Sequence, residues 1–168
     1  TLIDEAVRDG ITFDAVVVSV GGGGLLAGVV EGLRRNALAD VPVLAVETTG
    51  AASFAAALAA GEPVTLPAIT SVATSLGARR VMPHLLDLAR THPITSLVVS
   101  DADAVQACSR LADTMRVLVE PACGASVAAL HARPDPLALF SAPMVVVCGG
   151  MGVTTARLAG WRRDLGLD

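Results

Sequence analysis

Four consecutive glycines stand in Ser19-Val20-Gly21-Gly22-Gly23-Gly24-Leu25, after a run of valines and before an amphipathic stretch. Residues without a Cβ reach positive φ freely and can turn several backbone N–H groups toward one point. A helix starting there adds its positive end, and a phosphate dianion is the natural guest. No Gly-Lys-Ser/Thr follows, so this is no Walker loop, and GxGxxG fits only because glycine is so frequent. The plainer alternative is a tight strand-to-helix turn without a ligand. Cys148-Gly149-Gly150 closes the last apolar run, where a thiol offers a contact to a ligand ring atom or acts as a small buried apolar group. Glu47 ends another apolar run and needs an amine, a cation or backbone donors, unless it caps a helix or reaches the surface. Glu120-Pro121-Ala122-Cys123-Gly124-Ala125 sets small residues where another group must approach closely. Ser75-Leu76-Gly77 lies in an irregular stretch whose carbonyls are free to coordinate. His84, His92 and His131 lack metal-ligand spacing and read as surface or helix-face residues.

What is missing narrows the chemistry further. All 12 basic side chains are arginine, so no side chain here can supply a Schiff-base amine. Three cysteines without CxxC spacing suit a reducing compartment, and the expectation is the cytoplasm. A net charge of −4 and a pI near 5.3 argue against a nucleic-acid partner. Tyrosine is absent and only Phe13, Phe54, Phe140 and Trp161 could stack on bases. Hydrophobic residues make up 53% and mean hydropathy is +0.64, which excludes a disordered chain. The apolar runs 15–20, 43–46 and 144–147 are far shorter than the roughly 20 residues of a membrane span. No signal-like segment opens the chain.

These residues must be positioned by short valine-rich runs alternating with helical stretches. Strands are expected at 14–20, 41–47, 96–99 and 144–147, with a short extended piece at 117–119. Helices are expected at 25–38, 51–60, 83–91, 101–115, 121–132 and 154–163. Gly61 stops one of them and Ser100 or Asp101 caps another. Residues 62–80, broken by Pro63, Pro67 and Gly77, read as loop, and 133–136 as the most exposed loop. Strands that are apolar throughout imply an α/β fold, a parallel twisted sheet with helices on both faces. Ligands of such sheets sit at the carboxyl ends of the strands where strand order reverses. The candidate residues fall at those ends.

In this order the glycine run, Val46-Glu47, Gly50-Ala51-Ala52-Ser53, Leu66-Pro67-Ala68-Ile69-Thr70-Ser71-Val72-Ala73, Glu120-Pro121-Ala122-Cys123-Gly124-Ala125 and Val147-Cys148-Gly149-Gly150 resemble a known family. They are similar to the carboxyl-terminal half of the L-serine dehydratases, also called L-serine/L-threonine ammonia-lyases. These are pyridoxal-phosphate enzymes of the tryptophan-synthase-β fold, or fold type II. The resemblance covers nearly the whole chain and implies pyridoxal 5'-phosphate as cofactor. Gly21, Gly22, Gly23, Gly24 and Leu25 would cradle its phosphate, and Cys148, followed by Gly149, would face its pyridine nitrogen. A thiol there pushes the ring nitrogen toward its protonated form less strongly than a carboxylic partner does, which favours rapid β-elimination. Glu47 with the carbonyls of Gly21, Ala51, Leu76 and Ala78 would form the family's potassium site.

The resemblance also has gaps. Nothing matches the amino-terminal Ser-x-Lys segment that carries the family's Schiff-base lysine, or the small domain that contacts the substrate carboxylate. Met151-Gly152 stands where the family usually has asparagine. Residues 1–168 are thus expected to be a single domain, most of the large cofactor-binding domain but incomplete. The full enzyme would convert L-serine to pyruvate, or L-threonine to 2-oxobutanoate, with release of ammonia, while the isolated chain would be inactive. Alternatives are a threonine synthase, a diaminopropionate ammonia-lyase or a cysteine-synthase relative, or a non-catalytic phosphate-binding or interaction module. Cys148, where many relatives have Ser or Thr, favours the dehydratase. The expected partners are an amino-acid substrate and, through an uncovered apolar cleft wall, a second copy of the chain as a homodimer.

Overall fold

Valine-rich segments Ala15–Ser19 and Val43–Thr48 form strands β1 and β2, and every residue in both is buried. Burial on both faces is what an unbroken apolar run demands, and it places the two strands at the centre of a parallel sheet. Ile94–Val99 forms β3 and Pro143–Val145 forms β4. The order is β3-β2-β1-β4 with all neighbours parallel, in the register Val17↔Leu44, Leu44↔Thr95 and Val16↔Met144. The structure, a computed structural model, describes residues 1–132 and 138–167.

The two-residue period of a strand divides the core in two. Val16, Val18, Val43 and Ala45 point to one face. There they meet α1 (Leu2–Arg8), α2 (Gly24–Arg35), α3 (Ser53–Ala60) and α4 (His84–Thr91) through Ile3, Leu26, Leu33, Phe54 and Leu85. Ala15, Val17, Leu44 and Val46 point to the other, against α5 (Asp101–Met115) and α6 (Pro121–Ala132) through Ala104, Ala122, Ala125 and Ala129. Alanines let α6 lie close on β1 and β2. Helix α7 (Thr155–Asp164) covers α5 from outside, with Leu158 against Val105, Cys108 and Leu111. Each fully buried Val or Leu contributes about 1.5–3 kcal/mol. The expected layered α/β architecture is therefore present, with helices on both faces.

The details differ from expectation in four places. Helix α1 was not anticipated: Ile3 is its only buried residue, so no apolar stripe announces it. Residues 117–119 pair with no strand among the described residues. Strand β3 starts at Ile94, and β4 ends at Val145, leaving Val147 51% exposed. The loop expected at 133–136 lies outside the described residues. Both terminators behave as their chemistry requires. Gly61 ends α3 at φ 74, and Ser100 opens α5 in a capping box with Asp103, whose N–H donates to Ser100 Oγ at 3.0 Å. Among the described residues no helix is long and apolar enough to cross a membrane.

Candidate functional site

Strand order assembles the site. The chain steps outward from β1 to β2 and β3, then crosses back to β4 on the far side of β1. The carboxyl ends of β1 and β4 bracket this reversal, where an open parallel sheet leaves a crevice. A cleft of about 220 Å³ lies there. One wall is Gly21, Gly22, Gly23, Gly24 and Leu25; the other is Glu120, Ala122 and Cys148, with Ser19, Ser75 and Leu76 between. Gly149 follows Cys148 but does not line the cleft.

The glycine loop is shaped by its neighbours. Gly23 is the N-cap of α2 at φ 103, and a Cβ there would lie 2.3 Å from Leu85 Cδ1. A Cβ on Gly21 would lie 3.1 Å from the Ser75 carbonyl oxygen, so the Thr74–Leu76 3₁₀ turn abuts the loop. The Gly22 carbonyl accepts from Met82 N–H at 3.1 Å. No side chain caps α2. Among the described residues the N–H groups of Gly22, Gly23, Gly24 and Leu25 donate to no protein acceptor. Free donors at a helix start, lining a cleft, fit a phosphate group. Ser19 and Ser126 share a short buried hydroxyl contact that ties the end of β1 to α6.

The opposite wall is thiol-rich. Cys148 is exposed, while Cys123, in the first turn of α6, is fully buried. Interaction with Cys123 raises the Cys148 thiol above the ordinary thiol range, and partial burial adds to this. Cys148 therefore stays protonated at neutral pH. The same interaction, helped by the backbone N–H groups of Gly149 and Cys148, lowers Cys123 to about 6. Glu120 Oε2 accepts from Gly152 N–H at 3.2 Å, which fixes the segment after Cys148.

Glu47 does not line the cleft. Its side chain lies on the face of β2 that carries α3, and its two oxygens accept from Phe54 and Ala55 N–H, each at 2.8 Å. The carboxylate is completely buried, and burial pushes its pKa from 4.5 up to about 7 against the opposing pull of those two N–H groups. No basic side chain pairs with it among the described residues. Ser53, one residue before Phe54, is also fully buried, and its Oγ has no partner among the described residues. A buried carboxylate beside an unsatisfied hydroxyl fits a hard monovalent cation. Ala51 is buried nearby in sequence, Leu76 adjoins Gly21, and Ala78 lies 3.8 Å from a Cβ built on Gly22.

The loop carrying Ser75 and Leu76 is strapped down from the other sheet face. Thr48 Oγ1 and Ser71 Oγ are 2.7 Å apart, and Asp101 accepts from Ser71 Oγ at 2.5 Å and Val72 N–H at 2.9 Å. Sequence reasoning did not assign Ser53, Ser71 or Asp101 to the site; the apolar setting of Ser53 just before Phe54 was the available signal. It also left Cys123 and Cys148 unconnected, because their contact is tertiary. Among the histidines, His84 and His131 are exposed as expected, but His92 is buried, and its pKa is pushed down by that burial. No cluster of three or more His, Cys, Asp or Glu side chains could hold a metal among the described residues.

Residues 1–150 match the family model described as "Pyridoxal-phosphate dependent enzyme". L-serine dehydratase/L-threonine deaminase of Mus musculus is 47% identical over 165 residues, covering 92% of this chain and 50% of that protein. The Homo sapiens protein of the same name is 46% identical over 161 residues, covering 91% and 49%. The crystal structure of a fungal L-serine ammonia-lyase from Rhizomucor miehei superposes with a TM-score of 0.90 at 36% identity, over 96% of this chain and 54% of that one. Maize serine racemase gives a TM-score of 0.81 at 26% identity, over 98% and 52%. The chain thus spans about half the length of the curated relatives it matches.

Proposed function

The chain belongs to the pyridoxal-phosphate dependent enzymes, and from that premise we propose that it is the cofactor-holding part of a lyase that deaminates L-serine or L-threonine. The observation that carries this reading is the free N–H row of Gly22–Leu25 facing the Cys148 thiol across one cleft. When bound, pyridoxal phosphate would supply an aldehyde for the substrate amine and a ring that withdraws electrons from its α-carbon. Gly21, Gly22, Gly23, Gly24 and Leu25 would hold its phosphate by backbone donors and the positive end of α2. Cys148, raised above the ordinary thiol range, would face the ring nitrogen as a neutral thiol without charging it. Gly149 would set the turn that presents that thiol.

The side-chain amine needed for covalent attachment has no source in this lysine-free chain. We assign it, together with the small substrate-binding domain, to sequence beyond these 168 residues, which form most of the large domain. Glu47, the carbonyls of Gly21, Ala51, Leu76 and Ala78, and Ser53 Oγ would hold potassium. That ion would bind the Ser75–Ala78 turn to the glycine loop and offset the buried charge of Glu47. The relatives' activities, serine dehydration and threonine deamination, support an amino-acid substrate. Three unpaired thiols support a reducing cytoplasm, and the half-exposed end of β4 supports association of two copies.

Calorimetric titration with pyridoxal phosphate tests the cradle. A Cβ on Gly22 meets only Ala78, at 3.8 Å, so Gly22→Asp is accommodated while placing an anion beside the phosphate. The variant is expected to bind at least tenfold more weakly than the parent chain. Equal heats from both proteins refute the phosphate reading.

A further inference from the structure

We propose that Ser19 is a ligand-binding residue of the cleft: Ser126 holds its hydroxyl in place and leaves its proton directed at an anionic oxygen of the bound guest. Ser19 is the one polar residue of β1, a strand whose five residues are all buried. A hydroxyl in such a run needs a partner. Ser126 is the one hydroxyl of α6, whose other side chains are mostly small and apolar. Val17 faces α6, and the alternation of a strand sends Ser19 to the same side, where the two hydroxyls meet. Ser19 lines the cleft; Ser126, fully buried, does not.

The pair holds two hydroxyl protons but only one contact between them. Among the described residues neither oxygen makes a further hydrogen bond. A helical serine often donates to the carbonyl one turn back, as Ser109 Oγ does to Val105 at 3.3 Å in α5, but Ser126 makes no such bond. If Ser19 donated to Ser126, the Ser126 proton would be stranded in a fully buried position without an acceptor. An unsatisfied buried donor is the costlier arrangement. Ser126 therefore donates, Ser19 accepts, and the Ser19 proton is left for whatever fills the cleft.

The acceptor comes from the function proposed above, on which this inference rests. Besides Ser19, the cleft presents the N–H row of Gly22–Leu25 and one charged side chain, Glu120. Glu120 Oε2 accepts from Gly152 N–H, and no bond joins it to Ser19. The glycine row calls for an anionic group, and a hydroxyl proton directed into the same cleft bonds most strongly to a charged oxygen. Pyridoxal phosphate carries such oxygens in two places, on its phosphate and on its ring.

The test compares the full chain with Ser19→Ala, Ser126→Ala and the double variant, by calorimetric titration and by thermal unfolding. Each variant removes the same hydroxyl contact, so a contact that only ties β1 to α6 changes binding equally in all of them. Ser19→Ala and the double variant are expected to bind pyridoxal phosphate about tenfold or more weakly than the parent. Ser126→Ala keeps the donor and is expected to stay within about threefold. Equal binding by Ser126→Ala and the double variant overturns the proposal. Inorganic phosphate and pyridoxal are titrated in parallel: the loss appears with phosphate if the acceptor is there, and with pyridoxal if it is the ring oxygen. Unfolding without ligand reads the direction of the proton independently of the guest. Ser19→Ala strands the Ser126 proton and is expected to melt roughly 4 °C below the double variant, which has no buried donor to satisfy. Ser126→Ala melting lowest of the three overturns the donor assignment. A parent chain that binds none of the three probes counts against the proposed function, and the hydroxyl pair is then judged on the melting order alone.

Discussion

Gly22 and Gly23 are neighbours that tolerate side chains very differently. Gly23 sits at φ 103, and its Cβ would enter the space of Leu85, which is fully buried and cannot retreat. Left-handed strain and overpacking together make Gly23→Ala destabilising by about 2–4 kcal/mol. Thermal unfolding is expected to show a clear drop for Gly23→Ala and a minor change for Gly22→Asp, which separates loss of fold from loss of binding. Glu47 gives a second residue-scale prediction. Its pKa is 4.5 when unfolded and about 7 when buried, so the unfolded chain ionises first as pH rises. The stability this carboxyl lends is complete below about pH 4.5 and lost as pH climbs through 7. At 1.36 kcal/mol per unit the loss is on the order of 3 kcal/mol. Comparing parent and Glu47→Gln by denaturant unfolding between pH 4.5 and 7.5 isolates it: the parent declines and the variant does not. Potassium at the proposed site lowers the folded pKa and removes the decline, whereas tetramethylammonium leaves it.

At the scale of elements, the contact of α5 with α6 depends on one missing side chain. A Cβ on Gly124 would lie 2.2 Å from the Ala104 carbonyl oxygen and 2.5 Å from Cys108 Sγ. Backbone cannot yield as a flexible side chain can, so Gly124→Ala must part the helices at a cost of about 3 kcal/mol. For a chain of this size that lowers the melting temperature by roughly 6–12 °C, measurable by calorimetry or circular dichroism. Which elements were legible follows from how each is buried. Strands β1 and β2 are enclosed on both faces and read as unbroken valine-rich runs, and α2 shows a clear apolar stripe of Leu26, Val29, Val30 and Leu33. Helix α1 buries only Ile3, against Gly32, and is otherwise tied by Asp4 to Arg35 and Asn36, so it leaves no apolar pattern. The 117–119 segment looks strand-like by composition, but it lies against Gly150 and gains no ladder partner among the described residues.

Over the whole molecule, the order β3-β2-β1-β4 decides where the cleft lies. Alternating strands and helices made that kind of crevice foreseeable; local sequence does not encode the contacts across it. The glycine loop and Cys148 were legible because each closes a strand. The bonds from Glu47 to Phe54 and Ala55 were half legible, since a capping role was one alternative for that carboxylate. The thiol pair and the Asp101 strap depend on tertiary approach and carry no sequence pattern. The lysine-free composition gives a further prediction: the chain supplied with pyridoxal phosphate and L-serine forms no pyruvate in a lactate-dehydrogenase-coupled assay, and turnover would contradict the assignment of the amine to sequence beyond it. The two cleft walls are also remote along the polypeptide. Ser19 and Ser126 are 107 positions apart, and Asp14 reaches Ser141 over 127. Closing such long loops precedes any gain from the contacts they make. During synthesis on the ribosome, β1, β2 and the glycine loop emerge long before their counterpart, so the proposed vitamin-binding cleft has both of its walls only after Cys148 has left the exit tunnel.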